Sequence, residues 1–234
     1  MELLVAADVV TLVRDIIMKI DNTVGLYVHI PFCAAKCKYC NFYSLTGRDD
    51  LIAPYFNALK TEIASYENLN IDTIYFGGGT PTVVEPSKLA EIIDFTREKH
   101  NISEDCEITV ECNPKTIDLQ GFSRLYKAGV NRISIGLQSA NDDELKTLGR
   151  THTFADFLEC YNSARQAGFE NISVDLMFGL PGQGLHNYKE TLKTIGKLDV
   201  THISAYMLKV EDGTPLARKI QRFLTMTRLR ICMS

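Results

Sequence analysis

The stretch TIYFGGGTPTVVEPSKLAEIIDFTREK, residues 73–99, carries the rhythm on which the rest of the chain is built. A short β-branched and aromatic run, Thr73–Phe76, ends directly on Gly77, Gly78 and Gly79, followed by Thr80 and Pro81. Leu89, Ile92, Ile93 and Thr96 then recur at helical spacing, with Ser87 placed to cap a helix over Lys88–Lys99. This is one strand, one loop and one returning helix. Glycines directly after a strand let a ligand approach the backbone closely, although a merely flexible loop has the same composition. The loop is neither a P-loop, which ends in Gly-Lys-Ser/Thr, nor a Gly-x-Gly-x-x-Gly turn.

The same unit repeats on both sides. Further strands are expected at Val24–Ile30, Glu107–Val110, Arg132–Ile135, Asn171–Met177 and His202–Leu208. All are read as nearly continuous apolar runs, the pattern of strands buried on both faces. Leu51, Ile52, Tyr55, Phe56, Leu59 and Ile63 fall at helical spacing. Asp118–Ala128 and Phe154–Ala167 stop at Gly129 and Gly168, and Asn187–Leu198 is a weaker helix. Alternating strands and helices imply an α/β fold with a parallel sheet and right-handed crossovers. Six units suggest a partial (β/α)6 TIM-like barrel, with an open doubly wound sheet as the alternative.

The length of 234 residues suits one domain, read as residues 24–216, with an N-terminal extension over 1–23 and a divergent tail over 217–234. Lys and Arg total 25 against 29 Asp and Glu, a net charge of −4, which argues against an electrostatic nucleic-acid binder. No run approaches the roughly 20 apolar residues of a membrane span. Met1–Ile20 carries Asp8, Arg14 and Asp15, and Glu2 stands where a signal peptide is positive, so a cytoplasmic chain is expected, with Met18 an alternative start. Seven cysteines, unevenly spread, do not read as a disulfide framework.

In either architecture ligands bind at the carboxyl ends of the strands, so the residues that follow each run matter most. Cys33, Cys37 and Cys40 form Cys-x3-Cys-x2-Cys after the first run. Three thiolates on one short loop can hold three irons of a 4Fe-4S cluster and leave the fourth iron open. Zinc competes but wants four ligands, and His29, on the strand itself, is a poor fourth. Three free cysteines are the remaining alternative. Glu111 follows a buried run and can accept hydrogen bonds from ligand hydroxyls or an amine. Gln138, Arg150 and Asp175 are further polar candidates on the same predicted rim, each with a structural hydrogen-bonding role as its alternative. Cys106 and Cys160 read as small core or helix residues, and Cys112 lacks partners at cluster spacing. His100 ends a helix, where it favours the dipole. His152, His186 and His202 can ligate heme iron or be held by hydrogen bonds.

In order along the chain, Tyr27-Val-His-Ile-Pro-Phe-Cys33 with Cys37 and Tyr39-Cys40, Gly77-Gly-Gly-Thr-Pro81, Glu111-Cys-Asn-Pro114, Ser134–Ser139, Leu148-Gly-Arg-Thr-His152 and Asp175–Gln183 resemble the radical S-adenosylmethionine (radical SAM) family. Within it they are similar to the oxygen-independent coproporphyrinogen III oxidase-like branch, over roughly residues 24–216. The resemblance implies a 4Fe-4S cluster on Cys33, Cys37 and Cys40. It implies S-adenosylmethionine contacts from Tyr27, Gly78, Gly79, Thr80, Glu111, Gln138, Arg150 and Asp175. In that family the reduced cluster cleaves the sulfonium to a 5′-deoxyadenosyl radical.

Two members of the branch differ at one position. The oxidase resembles Cys-x3-Cys-x2-Cys-x-Cys, whereas here the last position is Phe42, as in the heme chaperones of the branch. Glu211-Asp-Gly-Thr-Pro215 also looks like the chaperones. The resemblance therefore implies heme or a porphyrin as the partner molecule, with a heme-acceptor protein beyond it. The alternatives are a coproporphyrinogen III oxidase or a non-functional fragment. The family's C-terminal domain, with its His-Asn-x-x-Tyr-Trp stretch, has no counterpart here, and the chain has no Trp. A truncated or frameshifted reading of the gene is expected, and with it weak heme binding and poor solubility.

Overall fold

The computed structural model describes residues 23–220; the expected N-terminal extension and most of the expected tail lie outside them. Six strands form one parallel sheet: β1 Thr23–Ile30, β2 Asn70–Gly78, β3 Asn101–Cys112, β4 Arg132–Gln138, β5 Asn171–Phe178 and β6 His202–Met207. They pair in sequence order, β1 to β6, without reversal. A doubly wound sheet reverses its order part-way, so the curled half-barrel is the architecture and the alternative falls. The connecting helices are α1 Ile52–Ala64, α2 Pro86–Lys99, α3 Leu119–Lys127, α4 Asp142–Leu148, α5 Phe154–Gln166 and α6 Leu185–Ile195.

The central strands are buried on both faces, as their composition suggested: Thr109, Ser134 and Ser173 are as buried as their apolar neighbours, and what alternates is polarity. In β4, Ile133, Ile135 and Leu137 are fully buried, as are Ile172, Val174 and Leu176 in β5 and Ile108 and Val110 in β3. Their neighbours Arg132, Ser134 and Gly136, Ser173 and Asp175, and Thr109 and Glu111 occupy the opposite face. One face packs on the helices through Leu89, Ile92, Phe122, Leu125, Phe157 and Phe169. The other lines a polar lumen, because a half-barrel leaves that face without a second apolar layer.

Helix ends follow local chemistry, with two departures. Asp118 caps α3 through the Gly121 amide at 2.8 Å, and Thr153 with Asp156 forms a capping box on α5. Gly129 and Gly168 have φ of 97° and 108° beyond the ends of α3 and α5, the left-handed conformation expected of them. Ser87 is not a cap. Pro86, preset for a first helical turn, starts α2 two residues earlier, after Glu85. The unexpected α4 begins at Asn141, whose side chain accepts from the Asp143 and Glu144 amides. His100 ends α2 as expected, and its ring also ties the helix to its surroundings. It is buried, with Nε2 3.1 Å from the Ile63 carbonyl and Nδ1 accepting from the Leu69 amide.

Candidate cofactor site

The cysteine loop leaves the carboxyl end of β1 and is tied down by backbone hydrogen bonds. The Cys33 amide donates to the Leu45 carbonyl at 2.9 Å and the Leu45 amide to Pro31 at 2.6 Å, which closes the loop on itself. The Lys38 amide donates to the Leu148 carbonyl, and the Leu216 amide to the Lys38 carbonyl, both at 2.9 Å, so the loop is also pinned to α4 and to the region after β6. Cys33, Cys37 and Cys40 are free and half-buried, and all three line one cavity of about 660 Å³. Among the described residues no three metal-ligating side chains converge on a single ion position.

The glycine loop after β2 packs against the cysteine loop. The Gly79 amide donates to the Ile30 carbonyl and the Thr80 amide to the Phe32 carbonyl, each at 2.8 Å. A Cβ on Gly79 would lie 2.6 Å from the Phe32 carbonyl oxygen and 3.0 Å from Cys33 Sγ, so only glycine lets the two loops meet. Gly78 has φ of 114°, and a Cβ there would strike the His29 ring at 2.6 Å. A side chain at Gly78 therefore disturbs β1 before it could reach any ligand.

Thr80, Asn113 and Arg150 join three loops behind the thiols. Asn113 Nδ2 donates to Thr80 Oγ1 at 2.8 Å, and Thr80 Oγ1 lies 3.7 Å from Cys33 Sγ. Arg150 donates to Asn113 Oδ1, to the Gly136 carbonyl and, at 3.6 Å, to Cys37 Sγ. Burial opposes the charge on Arg150, but Tyr39 and Cys37 beside it hold the guanidinium charged. Its Nε is buried with no hydrogen-bond partner.

Deeper in the lumen stand two carboxylates. Tyr75 donates to Glu111 Oε1 at 2.7 Å, and Ser134 donates to Asp175 Oδ1 at 3.1 Å. Burial pushes both carboxyls up from their ordinary values, and Asp175 adds to the rise at Glu111. Burial, with Glu111, also pushes the Tyr75 phenol up. The site thus holds two half-desolvated acids with a cation, Arg150, on its far wall.

The expected residues gather with one exception. Gly78, Gly79, Thr80, Glu111, Gln138, Arg150 and Asp175 line the same cavity as the three cysteines. Tyr27 does not. It is 56% exposed, stacks on Tyr75 with ring centroids 6.1 Å apart, and its hydroxyl meets His29 Nδ1 at 3.1 Å. Tyr75, Asn113, Ser134, Gly136 and Tyr206 line the cavity without having been singled out by residue type alone. The alternation of β3, β4 and β5 was the signal that could have found Ser134 and Gly136. His152 is held by a hydrogen bond, the alternative to heme ligation: it is buried, its Nε2 meets the Leu137 carbonyl at 3.2 Å, and burial, then Arg150, lower its pKa to about 4. A groove of about 790 Å³ outside the barrel, beside α2, α3 and α5, contains none of these residues.

Residues 27–195 match the model of the radical SAM superfamily. The chain belongs to that superfamily. Among curated relatives, this radical SAM chain is 39% identical over 201 residues to the heme chaperone HemW of Bacillus subtilis, covering 84% of this chain and 53% of HemW. It is 36% identical over 195 residues to HemW of Escherichia coli, covering 81% and 52%. The radical SAM barrel superposes on coproporphyrinogen III oxidase HemN from Escherichia coli with a TM-score of 0.73 and 27% identity, covering 86% of this chain and 52% of HemN. The chain spans about half the length of the curated relatives it matches. No helix among the described residues is long and apolar enough to cross a membrane.

Proposed function

We propose that this radical SAM chain carries a 4Fe-4S cluster on Cys33, Cys37 and Cys40, binds S-adenosylmethionine over the β-strand ends, and serves as a heme chaperone. The observation that carries the reading is the single cavity shared by the three thiols and the lumen's polar groups. The donor set fits a cluster: three thiols of one short loop line a single cavity, and cluster corners need one thiolate per iron. An N–H donor on Cys37 Sγ and backbone packed against Cys33 Sγ suit thiolates held in place. Burial raises the Cys40 thiol, so metal uptake there must release its proton.

When bound, the cluster supplies one-electron reduction at an iron with an open coordination position. Arg150 bridges Cys37, Asn113 and the Gly136 carbonyl, and so couples the cysteine loop to the ends of β3 and β4. Glu111 keeps its proton to higher pH than an ordinary carboxyl and can either donate to or accept from a ligand hydroxyl. Asp175, held by Ser134, does the same from the next wall. Phe42 stands 71% exposed at the cavity mouth, where the oxidase pattern has a fourth cysteine. That residue favours the chaperone over the oxidase, with heme as cargo and an acceptor protein as partner.

Anaerobic reconstitution followed by iron, sulfide and calorimetric measurements tests the reading. About four irons and matching sulfide per chain, with S-adenosylmethionine binding that needs them, are expected. Stoichiometric zinc without sulfide would overturn the cluster. Formation of protoporphyrinogen from coproporphyrinogen III would overturn the chaperone assignment in favour of the oxidase.

A further inference from the structure

Gln138 ends β4 in an unusual posture. Its φ is 74°, a left-handed conformation that opposes its own Cβ. The ladder to β5 skips Leu137, so Gly136 pairs with Asp175 but Gln138 with Leu176, a residue of the helix-packed face. By its register Gln138 would follow Leu176 away from the lumen. Instead it is 4% exposed and lines the cavity. The bulge and the positive φ together re-aim its side chain.

One side chain from two strands away holds it there. Tyr206 of β6 sits opposite Met177 of β5, and its hydroxyl donates to Gln138 Oε1 at 3.0 Å. With the carbonyl end taken, the amide's donor end is left free. Gln138 Nε2 lies 3.2 Å from the position a Cβ on Gly136 would occupy, with Asn113 Oδ1 at 2.6 Å and Arg150 Nη2 at 3.0 Å from the same point. The strand end at Gly136 is thus crowded: Arg150 Nη2 is spent on Asn113 Oδ1 and the Gly136 carbonyl, and the Gln138 amide borders the cavity beside that pair. A free amide N–H on the cavity wall suits an oxygen acceptor on a ligand, a hydroxyl or carboxylate.

We infer that Tyr206 is a positioning residue: its bond to Gln138 holds the bulge and turns the amide's N–H groups toward a ligand oxygen in the cavity. The inference rests on the reading that this cavity binds S-adenosylmethionine. Tyr206 is also the link that ties the edge strand β6 to β4 across the lumen.

The test uses Tyr206→Phe, Gln138→Ala and the double variant. In the unliganded protein, amide hydrogen exchange over residues 137–139 should quicken roughly 3- to 10-fold in Tyr206→Phe, the worth of one hydrogen bond. In anaerobically reconstituted protein, S-adenosylmethionine should bind more weakly by a similar factor, with iron and sulfide unchanged. In the Gln138→Ala background, Tyr206→Phe should cost nothing further. Unchanged exchange in the single variant, or costs that add in the double, would overturn the positioning role. Failure of the parent protein to bind S-adenosylmethionine would instead defeat the functional reading, while the exchange measurement still decides the role of Tyr206.

Discussion

The two faces of β4 are one residue apart in sequence and opposite in purpose. Ile133, Ile135 and Leu137 are fully buried against the helices. Ser134, Gly136 and Gln138 line a cavity whose carboxyls are raised by burial and whose arginine keeps an unpartnered Nε. The outer face gains stability from apolar area removed from water. The lumen face desolvates charges without fully compensating them, which costs stability and leaves binding capacity. The contrast predicts that substitutions on one face unfold the protein and on the other empty it.

The largest effect is expected at the mouth. Cys37→Ala should lower iron after anaerobic reconstitution from about four per chain to near zero. Its thermal melt in the unreconstituted state should barely move, since the thiol is only half-buried. A variant that loses its fold along with its iron would break the contrast. Ile135→Ala, two strand positions from Ile133, should do the reverse. It should destabilise by about 2–5 kcal/mol in denaturant unfolding, the cost of a cavity in a packed core. Reconstituted at low temperature, it should still take up iron.

His152 joins the two faces, since it is buried and bonded to the carbonyl of outward-facing Leu137. Its pKa falls from 6.5 to about 4 in the folded state, so the unfolded chain takes up the proton first. The stability it confers is present above pH 6.5 and lost as the pH falls toward 4, on the order of 3 kcal/mol in all. His152→Gln should flatten the stability profile across that window, as read by urea titrations at several pH values. An unchanged slope would remove His152 as its source.

Glu111→Gln sharpens the lumen side with the smallest effect. The folded-state pKa of Glu111 is raised above its ordinary 4.5 by burial. Its protonated form is therefore the one folding prefers, and the stability this confers is present below 4.5 and lost as the pH climbs through the raised value. Gln, an uncharged isostere that still accepts from Tyr75, should be more stable than the parent above that point. It should also bind S-adenosylmethionine about tenfold more weakly, the worth of one charge-assisted hydrogen bond. Greater stability with unaltered affinity would show that Glu111 faces no ligand.

Much of this site was legible before any coordinates. The cysteine loop is readable because three thiols within eight residues are near one another whatever the fold. Thr80, Glu111 and Asp175 were readable because each lies at or near the carboxyl end of a strand, and parallel strands bring those ends to one rim. The seven residues of α4 passed unread although Asn141 and the acids Asp142, Asp143 and Glu144 mark a helix start, because so short a segment shows no period. Tyr27 was expected in the site and stands beside it, its place on the cavity wall taken by Tyr75 from the neighbouring strand.

The sequence alone therefore determined most of the elements, their order and the thiol cluster, because these depend on local pattern and on chain connectivity, whereas the half-barrel was decided over the open sheet by the strand order. The tertiary structure decided which polar groups touch. Arg150 reaches Cys37 across 113 residues, Tyr206 reaches Gln138 across 68, and Tyr75 reaches Glu111 across 36. Such contacts depend on the curl of the sheet and on a bulge at Leu137, and no spacing along a chain encodes the angle at which two strands face each other across a lumen.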